Sequence, residues 1–425
     1  MAKKNDKDKA KATDGMPKVK KVKVTKSKKV IPEFTFDDMN KDLDKISLYG
    51  SKMSENTFSE VDHYISFGSH IINAACTGSI YGGIPNNRCV ALAGPSGTGK
   101  TYLLLNAVKN AIAMGYYVVF YDSENAIDKK LMETFGIDTT KVRYEPMATL
   151  QEFRHHITSL IDQLVQKKRE GIKIPKLFFA LDSAGNLPSK KEVDDAISGS
   201  EKADMTRAKL TKSLFRIITV PLAEIKAPFV FTNHTYQTQS FISLTKAGGG
   251  TGPEYAASII LFLGKAQLTE GSGKNKIKSG IIVRVAPNKN RFAKPNVVKA
   301  FIRYDSGMNP YVGLEEYFDW DTVGVSKGEM DANGDINIKQ NCKSWVCKHL
   351  DEPIKKANEL YSDKVFTKDV LDAINERIQP MFNYGINDTI PDDMLGEEDE
   401  IIDLLDDVET EGEDAMDSIQ EELKK

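Results

Sequence analysis

The sequence predicts an α/β fold: a mostly parallel central sheet flanked by helices, preceded by a short helical arm and followed by a small α-rich domain. Three observations carry that expectation. Between about Tyr64 and Met308, short apolar runs alternate with helical stretches. The runs CVALAG, YVVFYD, KLFFALD, PFVFTN and SIILFLG are apolar on both faces, as buried parallel strands covered by helices must be. The first of them leads into GPSGTGKT, Gly94 to Thr101, a glycine-rich phosphate loop set between a strand-like and a helix-like segment.

Taken in order, residues 1–31 form a basic tail crowded with lysines from Lys3 to Lys29, and residues 391–425 form an acidic one. Neither can bury enough apolar surface to offset its ordering entropy, so both are expected to be disordered. They act either as solubilising tails or as a basic arm that holds phosphates and an acidic one that competes with nucleic acid for basic surface. The net charge of −3 conceals this polarity. An apolar content of 40% supports a large core between the tails. No apolar run is long enough to cross a bilayer, and the N-terminal MAKKNDKDKAKATDG has no secretory apolar stretch, so a cytoplasmic protein without a membrane partner is expected. Cys76, Cys89, Cys342 and Cys347 show no paired spacing and read as buried thiols.

Residues 32–60 read as an arm whose helix starts near Thr35 or Asp37, with Met39, Leu43 and Ile46 along one stripe. The core is expected over residues 61–310. Its later runs, GIIVRVAP and VVKAFIRY, alternate and predict antiparallel edge strands. Residues 311–390 form the small C-terminal domain. Within it DANGDINIKQNC, from Asp331, begins like a calcium loop, but Ile336 stands where glycine is needed and Cys342 where the bidentate glutamate belongs, so a polar turn is expected.

The phosphate loop specifies ATP and magnesium chemistry. Gly94, Gly97 and Gly99 let successive N–H groups turn toward phosphate oxygens, with Pro95, Ser96 and Thr98 completing the cradle at a helix N-terminus. Lys100 can reach the β- and γ-phosphates, and the Thr101 hydroxyl can ligate Mg2+. Asp182 ends KLFFALD, where a strand tip can hold the metal or its water shell. Glu124, in VVFYDSEN, can polarise a water for attack on the γ-phosphate, although spacing alone leaves Asp122 and Asp128 as competitors.

These motifs, in this order, resemble the RecA recombinase family and look closest to its phage UvsX type, over about residues 60–315. The resemblance rests on ISFGSHIINAACTGSIYGGIPNNRCVALAGPSGTGKT, FYDSENAID, LFFALDSAGNLPSKKE and FVFTNHTYQ. It implies that Glu124 is the catalytic glutamate and that His234 senses the γ-phosphate. It places a first DNA-binding loop over about Ser189 to Ala203, with Lys190, Lys191 and Lys202 as contacts and Arg207 opening the next helix. A second loop, TYQTQSFISLTKAGGGTGPEYAAS, has flexible glycines among donors and apolar wedges, and Gln239, Phe241, Lys246, Gly249 and Gly250 are its candidate contacts. Lys289 and Arg291, in PNKNRFAKPN, occupy the turn that in this family stabilises the transferring phosphoryl group on a neighbouring protomer.

What the resemblance implies is a DNA-dependent ATPase that forms a helical filament on single-stranded DNA and exchanges strands with homologous duplex. Recombination mediators and single-strand-binding proteins are expected partners. A ring-forming helicase or a nucleotide-switched loader shares the P-loop and its acids. The N-terminal arm, the SFGS…GGIP approach and the Lys289/Arg291 turn favour the recombinase.

Overall fold

The computed structural model describes residues 34–199, 206–237, 245–247, 256–270, 277–331 and 333–385. Both tails lie outside them. Contacts divide the chain into two units, Met1–Thr57 and Phe58–Lys425.

In the first unit, helix α1 (Phe36–Ile46) starts where the sequence places a cap. Thr35 Oγ1 accepts the Asp38 N–H at 3.2 Å, and the Asp38 carboxylate reaches back to the Thr35 N–H at 3.3 Å. Lys52 Nζ, beyond the helix, pairs with Asp37 at 2.7 Å. The apolar stripe is on the surface of the chain: Met39, Leu43 and Ile46 are all exposed.

The second unit is organised by one nine-stranded sheet. A two-stranded ribbon, β1 (Tyr64–Ile65) with β2 (Ile84–Pro85), flanks α2 (His70–Thr77). There follow β3 (Cys89–Ala93), α3 (Lys100–Ala113), β4 (Tyr117–Asp122), α4 (Lys129–Thr134), β5 (Val142–Pro146), α5 (Leu150–Arg169), β6 (Leu177–Asp182), α6 (Lys190–Ser198), α7 (Thr206–Glu224) and β7 (Phe229–Asn233). After the small hairpin β8 (Thr235–Gln237) and β9 (Thr245–Ala247) come β10 (Ile259–Glu270), β11 (Ile277–Asn290), β12 (Val298–Arg303) and β13 (Gly307–Met308). The order is β13-β12-β11-β10-β3-β7-β6-β4-β5. From β10 to β5 every pairing is parallel. The pairings among β10 to β13 are antiparallel. The five two-sided apolar runs thus all enter parallel pairings, and the two alternating runs are antiparallel strands but not edges: β11 lies between β10 and β12, and β12 between β11 and β13.

Pleating sends alternate residues into two cores. Val90, Leu92, Phe120, Phe178 and Val230 join α2 and α3 on one face, and Val119, Tyr121, Phe179, Phe229 and Phe231 meet α5 and α7 on the other. Phe215 lies 4.9 Å from Phe231 and 6.0 Å from Phe229, ring centre to ring centre. Each such buried ring contributes roughly 1.5–3 kcal/mol by area.

Two further features depart from the sequence reading. Strand β5, VRYEP, was not among the expected strands: it is an edge strand with exposed and half-buried side chains, so it lacks the apolar run that marks the others. The segment read as an α-rich domain contains a three-stranded antiparallel sheet, β14 (Val325–Met330), β15 (Ile336–Ile338) and β16 (Trp345–Cys347), before helices α8 (Ala357–Leu360) and α9 (Lys368–Phe382). Val370, Ile374, Ile378 and Phe382 of α9 share the core of α2 and α3. The strands of this sheet are only three to six residues long and one of them, β15, is largely exposed, which hides the strand period. The turn at Asp331 accepts the N–H groups of Asn333 and Asp335 at 2.9 and 2.8 Å, in keeping with a polar turn. All four cysteines are free. Among the described residues no helix is long and apolar enough to cross a membrane.

Candidate nucleotide site

The phosphate loop leaves β3 at the sheet centre and closes on α3. Gly97 and Gly99 have φ of +73° and +89°, which L side chains rarely adopt. Gly94 cannot carry a side chain either: a Cβ there would lie 2.5 Å from the Leu263 carbonyl oxygen of β10. Thr98 Oγ1 donates to the Pro95 carbonyl at 2.9 Å, tightening the loop. Lys100 folds back under it, its Nζ donating to the carbonyls of Gly94 and Pro95 at 2.8 and 2.9 Å. Burial holds its pKa below the ordinary value, nearby Lys265 acts the same way, and Asp182 and Glu124 oppose both.

The acids come from adjacent strand ends. Asp122 and Asp182, the last residues of β4 and β6, are direct partners across the two strands. Asp182 Oδ2 accepts the Thr101 hydroxyl at 2.7 Å, and its other oxygen accepts the Thr232 hydroxyl. Burial raises the Asp182 pKa, these two hydrogen bonds oppose that, and the nearby Glu124 and Asp122 raise it further. A carboxylate whose charge is disfavoured by burial, beside a hydroxyl, is an all-oxygen pair of the kind a Mg2+ ion relieves, so the residues fit that ion.

The three candidate acids for water activation separate. Asp122 accepts the N–H groups of Glu124, Asn125 and Ile127 and the Tyr144 hydroxyl, at 2.8, 2.8, 3.2 and 3.0 Å. Asp128 caps α4, accepting the Leu131 N–H at 2.6 Å. Glu124 faces the cavity, and its Oε1 lies 3.2 Å from His234 Nε2. His234 sits between β7 and β8, so the imidazole joins the site to the strand that opens the second loop.

Lys100, Thr101, Glu124, Asp182 and His234 line one cavity of about 440 Å³ with Ser96, Gly97 and Gly99. Sequence reasoning missed its other wall: Tyr102, Phe135, Ile281, Ile302, Arg303 and Tyr304. Tyr102 and Phe135 are 5.0 Å apart, ring centre to ring centre, and Ile281 and Ile302 are cross-strand partners. The alternation in GIIVRVAP and VKAFIRY marked these strands without telling which face meets the loop. Lys265 was missed as well; its Nζ donates to the Ser96 carbonyl at 3.0 Å.

The remaining candidates lie elsewhere. Lys190 and Lys191 open α6, capped by Ser189 and Glu192, so the expected first loop begins as a helix. Arg207 opens α7, and its guanidinium donates to the Gly185 carbonyl. Lys246 is in β9, opposite Tyr236. Lys202, Gln239, Phe241, Gly249 and Gly250 lie outside the described residues. Lys289 and Arg291 are at the far end of the sheet: Asn290, between them, pairs with Ile259, which pairs with Val90 near the start of β3. The structure therefore does not bring them to the phosphate loop of their own chain.

The profile of the RecA N-terminal domain matches residues 29–309. The chain is similar to the "Recombination and repair protein" of Enterobacteria phage T4, with 35% identity over 248 residues, 57% of this chain and 60% of that protein. It is 24% identical over 295 residues to "Protein RecA" of Lactococcus lactis subsp. cremoris (strain MG1363), covering 66% of this chain and 73% of that one. A third relative, "Protein RecA" of Borreliella afzelii (strain PKo), is 24% identical over 341 residues, 80% of this chain and 88% of its own length. The match thus spans about three-fifths of the phage protein.

Proposed function

This chain belongs to the RecA family, as the match across residues 29–309 shows, and from that premise we propose that it is an ATP-dependent DNA recombinase that forms filaments on single-stranded DNA and exchanges strands with homologous duplex. The observation that carries the proposal is the convergence of Lys100, Thr101, Asp182, Glu124 and His234 on one cavity at the strand ends.

In this reading the loop N–H groups and the α3 N-terminus bind the phosphates of ATP. Lys100 exchanges its loop carbonyls for phosphate oxygens. Thr101 and Asp182 would hold Mg2+, which when bound neutralises charge on the β- and γ-phosphates. Glu124 accepts a proton from the attacking water and orients it in line with the γ-phosphorus. His234 releases Glu124 to meet the γ-phosphate, and the shift is passed through β8 to the second loop. Tyr102, Phe135 and Tyr304 wall the side away from the acids and would receive the base. Lys289 and Arg291 act on the nucleotide of a neighbouring protomer, since their own phosphate loop is at the other end of the sheet.

The test is strand exchange between circular single-stranded and homologous linear duplex DNA with ATP and Mg2+, beside Lys100→Ala. Joint molecules from the wild type alone support the proposal. DNA-stimulated hydrolysis that unwinds duplex without exchange supports a motor instead, and DNA binding without either supports a loader.

A further inference from the structure

We infer that Asp122 is the positioning residue of Glu124, with Tyr144 as its partner, and that its carboxylate fixes the loop from which Glu124 reaches the water; the inference rests on the hydrolytic role proposed for Glu124. Asp122 is buried at the tip of β4, two residues before Glu124. A carboxylate offers about four acceptor positions, two on each oxygen. Here all four are filled. Oδ1 accepts the N–H groups of Glu124 and Asn125, each at 2.8 Å. Oδ2 accepts the Ile127 N–H at 3.2 Å and the Tyr144 hydroxyl at 3.0 Å. Nothing remains with which Asp122 could take up a water or a proton, so it cannot replace Glu124 in the reaction.

What those bonds do is fold residues 123–127 around one anion. Asn125 is held at φ +51°, a left-handed conformation that a non-glycine residue keeps only when its surroundings enforce it. The two N–H groups leading into this kink, those of Glu124 and Asn125, go to Asp122 Oδ1, and the Ile127 N–H beyond it goes to Oδ2. Glu124 is therefore the residue whose direction the kink sets. The opposite side of the loop is pinned independently: the Ser123 N–H donates to the Asp182 carbonyl at 2.8 Å, Ser123 Oγ to the Ser183 carbonyl at 2.8 Å, and Asn186 Nδ2 to the Ser123 carbonyl at 2.7 Å. With the loop gripped on both sides, Glu124 reaches the cavity and meets His234. Tyr144, from edge strand β5, closes the carboxylate from outside, giving that exposed strand a use beyond sheet pairing.

The substitution that keeps volume but breaks the pattern is Asp122→Asn. Its amide retains one acceptor oxygen and turns an N–H donor toward the Ile127 N–H. The measurement is steady-state ATP hydrolysis on single-stranded DNA, with equilibrium binding of a non-hydrolysable ATP analogue, in wild type, D122N, Y144F, E124Q and the D122N/E124Q double variant. The expected result is a loss of about 10²-fold in kcat for D122N, the effect of displacing a reacting group by about an ångström. Analogue affinity should stay within about threefold, because no phosphate contact is removed. Y144F, which leaves Oδ2 its backbone donor, should lose several-fold in kcat and covers the case in which D122N fails to fold. In the E124Q background D122N should add little, since its effect passes through Glu124. Equal losses from D122N with and without Glu124, or weakened analogue binding at unchanged kcat, would overturn the inference. Full hydrolysis by E124Q alone would remove the role of Glu124 first, and the positioning role with it; hydrolysis lost in E124Q but kept in both D122N and Y144F removes only the latter.

Discussion

The two ends of the parallel sheet are chemically opposite. At the C-terminal ends of β3, β4, β6 and β7, one cavity gathers Glu124, Asp182, Lys100 and His234, each within reach of a partner. At the other end, Arg88, Arg216 and Arg291 line a cleft with no acid among its described lining residues. Burial holds the Arg88 pKa below the ordinary value, and neighbouring Arg291 lowers it further. Like charges crowded at a partly buried place are not what a fold needs for its own stability. The first end pairs its charged groups with one another or with the loop; among the described residues, the second end gathers arginines in a cleft without a lining acid. In the filament proposed above, stacking identical chains head to tail would set one end against the other.

That contrast can be broken by mixing. Lys100→Ala keeps the basic end and loses the phosphate end, and Lys289→Ala/Arg291→Ala does the reverse. Each alone should lose DNA-stimulated hydrolysis by about 10³-fold or more, the scale of a cation that stabilises a transferring phosphoryl group in trans. Mixed in equal amounts on single-stranded DNA, they should recover about a quarter of wild-type activity, because one interface in four joins the intact halves. Measured ATP turnover that stays at the level of the separate variants would show that the two ends do not meet.

A finer probe is Asn290, which sits between the two cations. Its Nδ2 donates to the Ala75 and Cys76 carbonyls at 2.9 and 3.0 Å, using carbonyls from the last turn of α2, and its Oδ1 accepts the Phe292 and Ala293 N–H groups at 2.9 and 3.3 Å. Asn290→Ala should loosen the turn that aims Lys289 and Arg291 while leaving the phosphate end intact. The expected outcome is a loss of roughly tenfold in DNA-stimulated kcat with unchanged binding of an ATP analogue by the DNA-free protein.

How far the sequence could reveal this depended on whether a signal was local. GPSGTGKT is contiguous, so its loop, its strand and its helix were all legible. Asp182 was legible because a strand tip beside a P-loop has few other uses. Glu124 was not separable from Asp122 and Asp128 by spacing, since the distinction lies in which carboxylate has its acceptors filled by backbone N–H groups. The far wall of the cavity, Ile281, Ile302 and Tyr304, is assembled by antiparallel pairing nearly two hundred residues beyond the loop, and no local pattern announces it. The C-terminal strands were hidden for a related reason: they are short, and their partners rather than their own period make them strands.

The smallest effect sought is an acid-dependent loosening of the basic end alone. Helix α2 carries His70 at its start and holds Asn290 at its finish. The imidazole stacks on Tyr311 at 5.6 Å, meets Tyr81 edge-on at 6.3 Å, and its Nδ1 lies 3.1 Å from the Ile80 carbonyl. Burial, the largest influence, keeps its pKa below the ordinary 6.5, against the Ile80 carbonyl, which favours the proton. A histidine whose folded pKa is depressed binds protons more readily when unfolded, so its contribution is present above 6.5 and lost as pH falls through the folded value. The melting temperature of the wild type should therefore fall more steeply below pH 6.5 than that of His70→Gln, which cannot titrate. Amide exchange at low pH should rise first around α2 and Asn290, with the phosphate loop unchanged; equal loosening at both ends would mean that the sheet transmits the strain and the two ends are not independent.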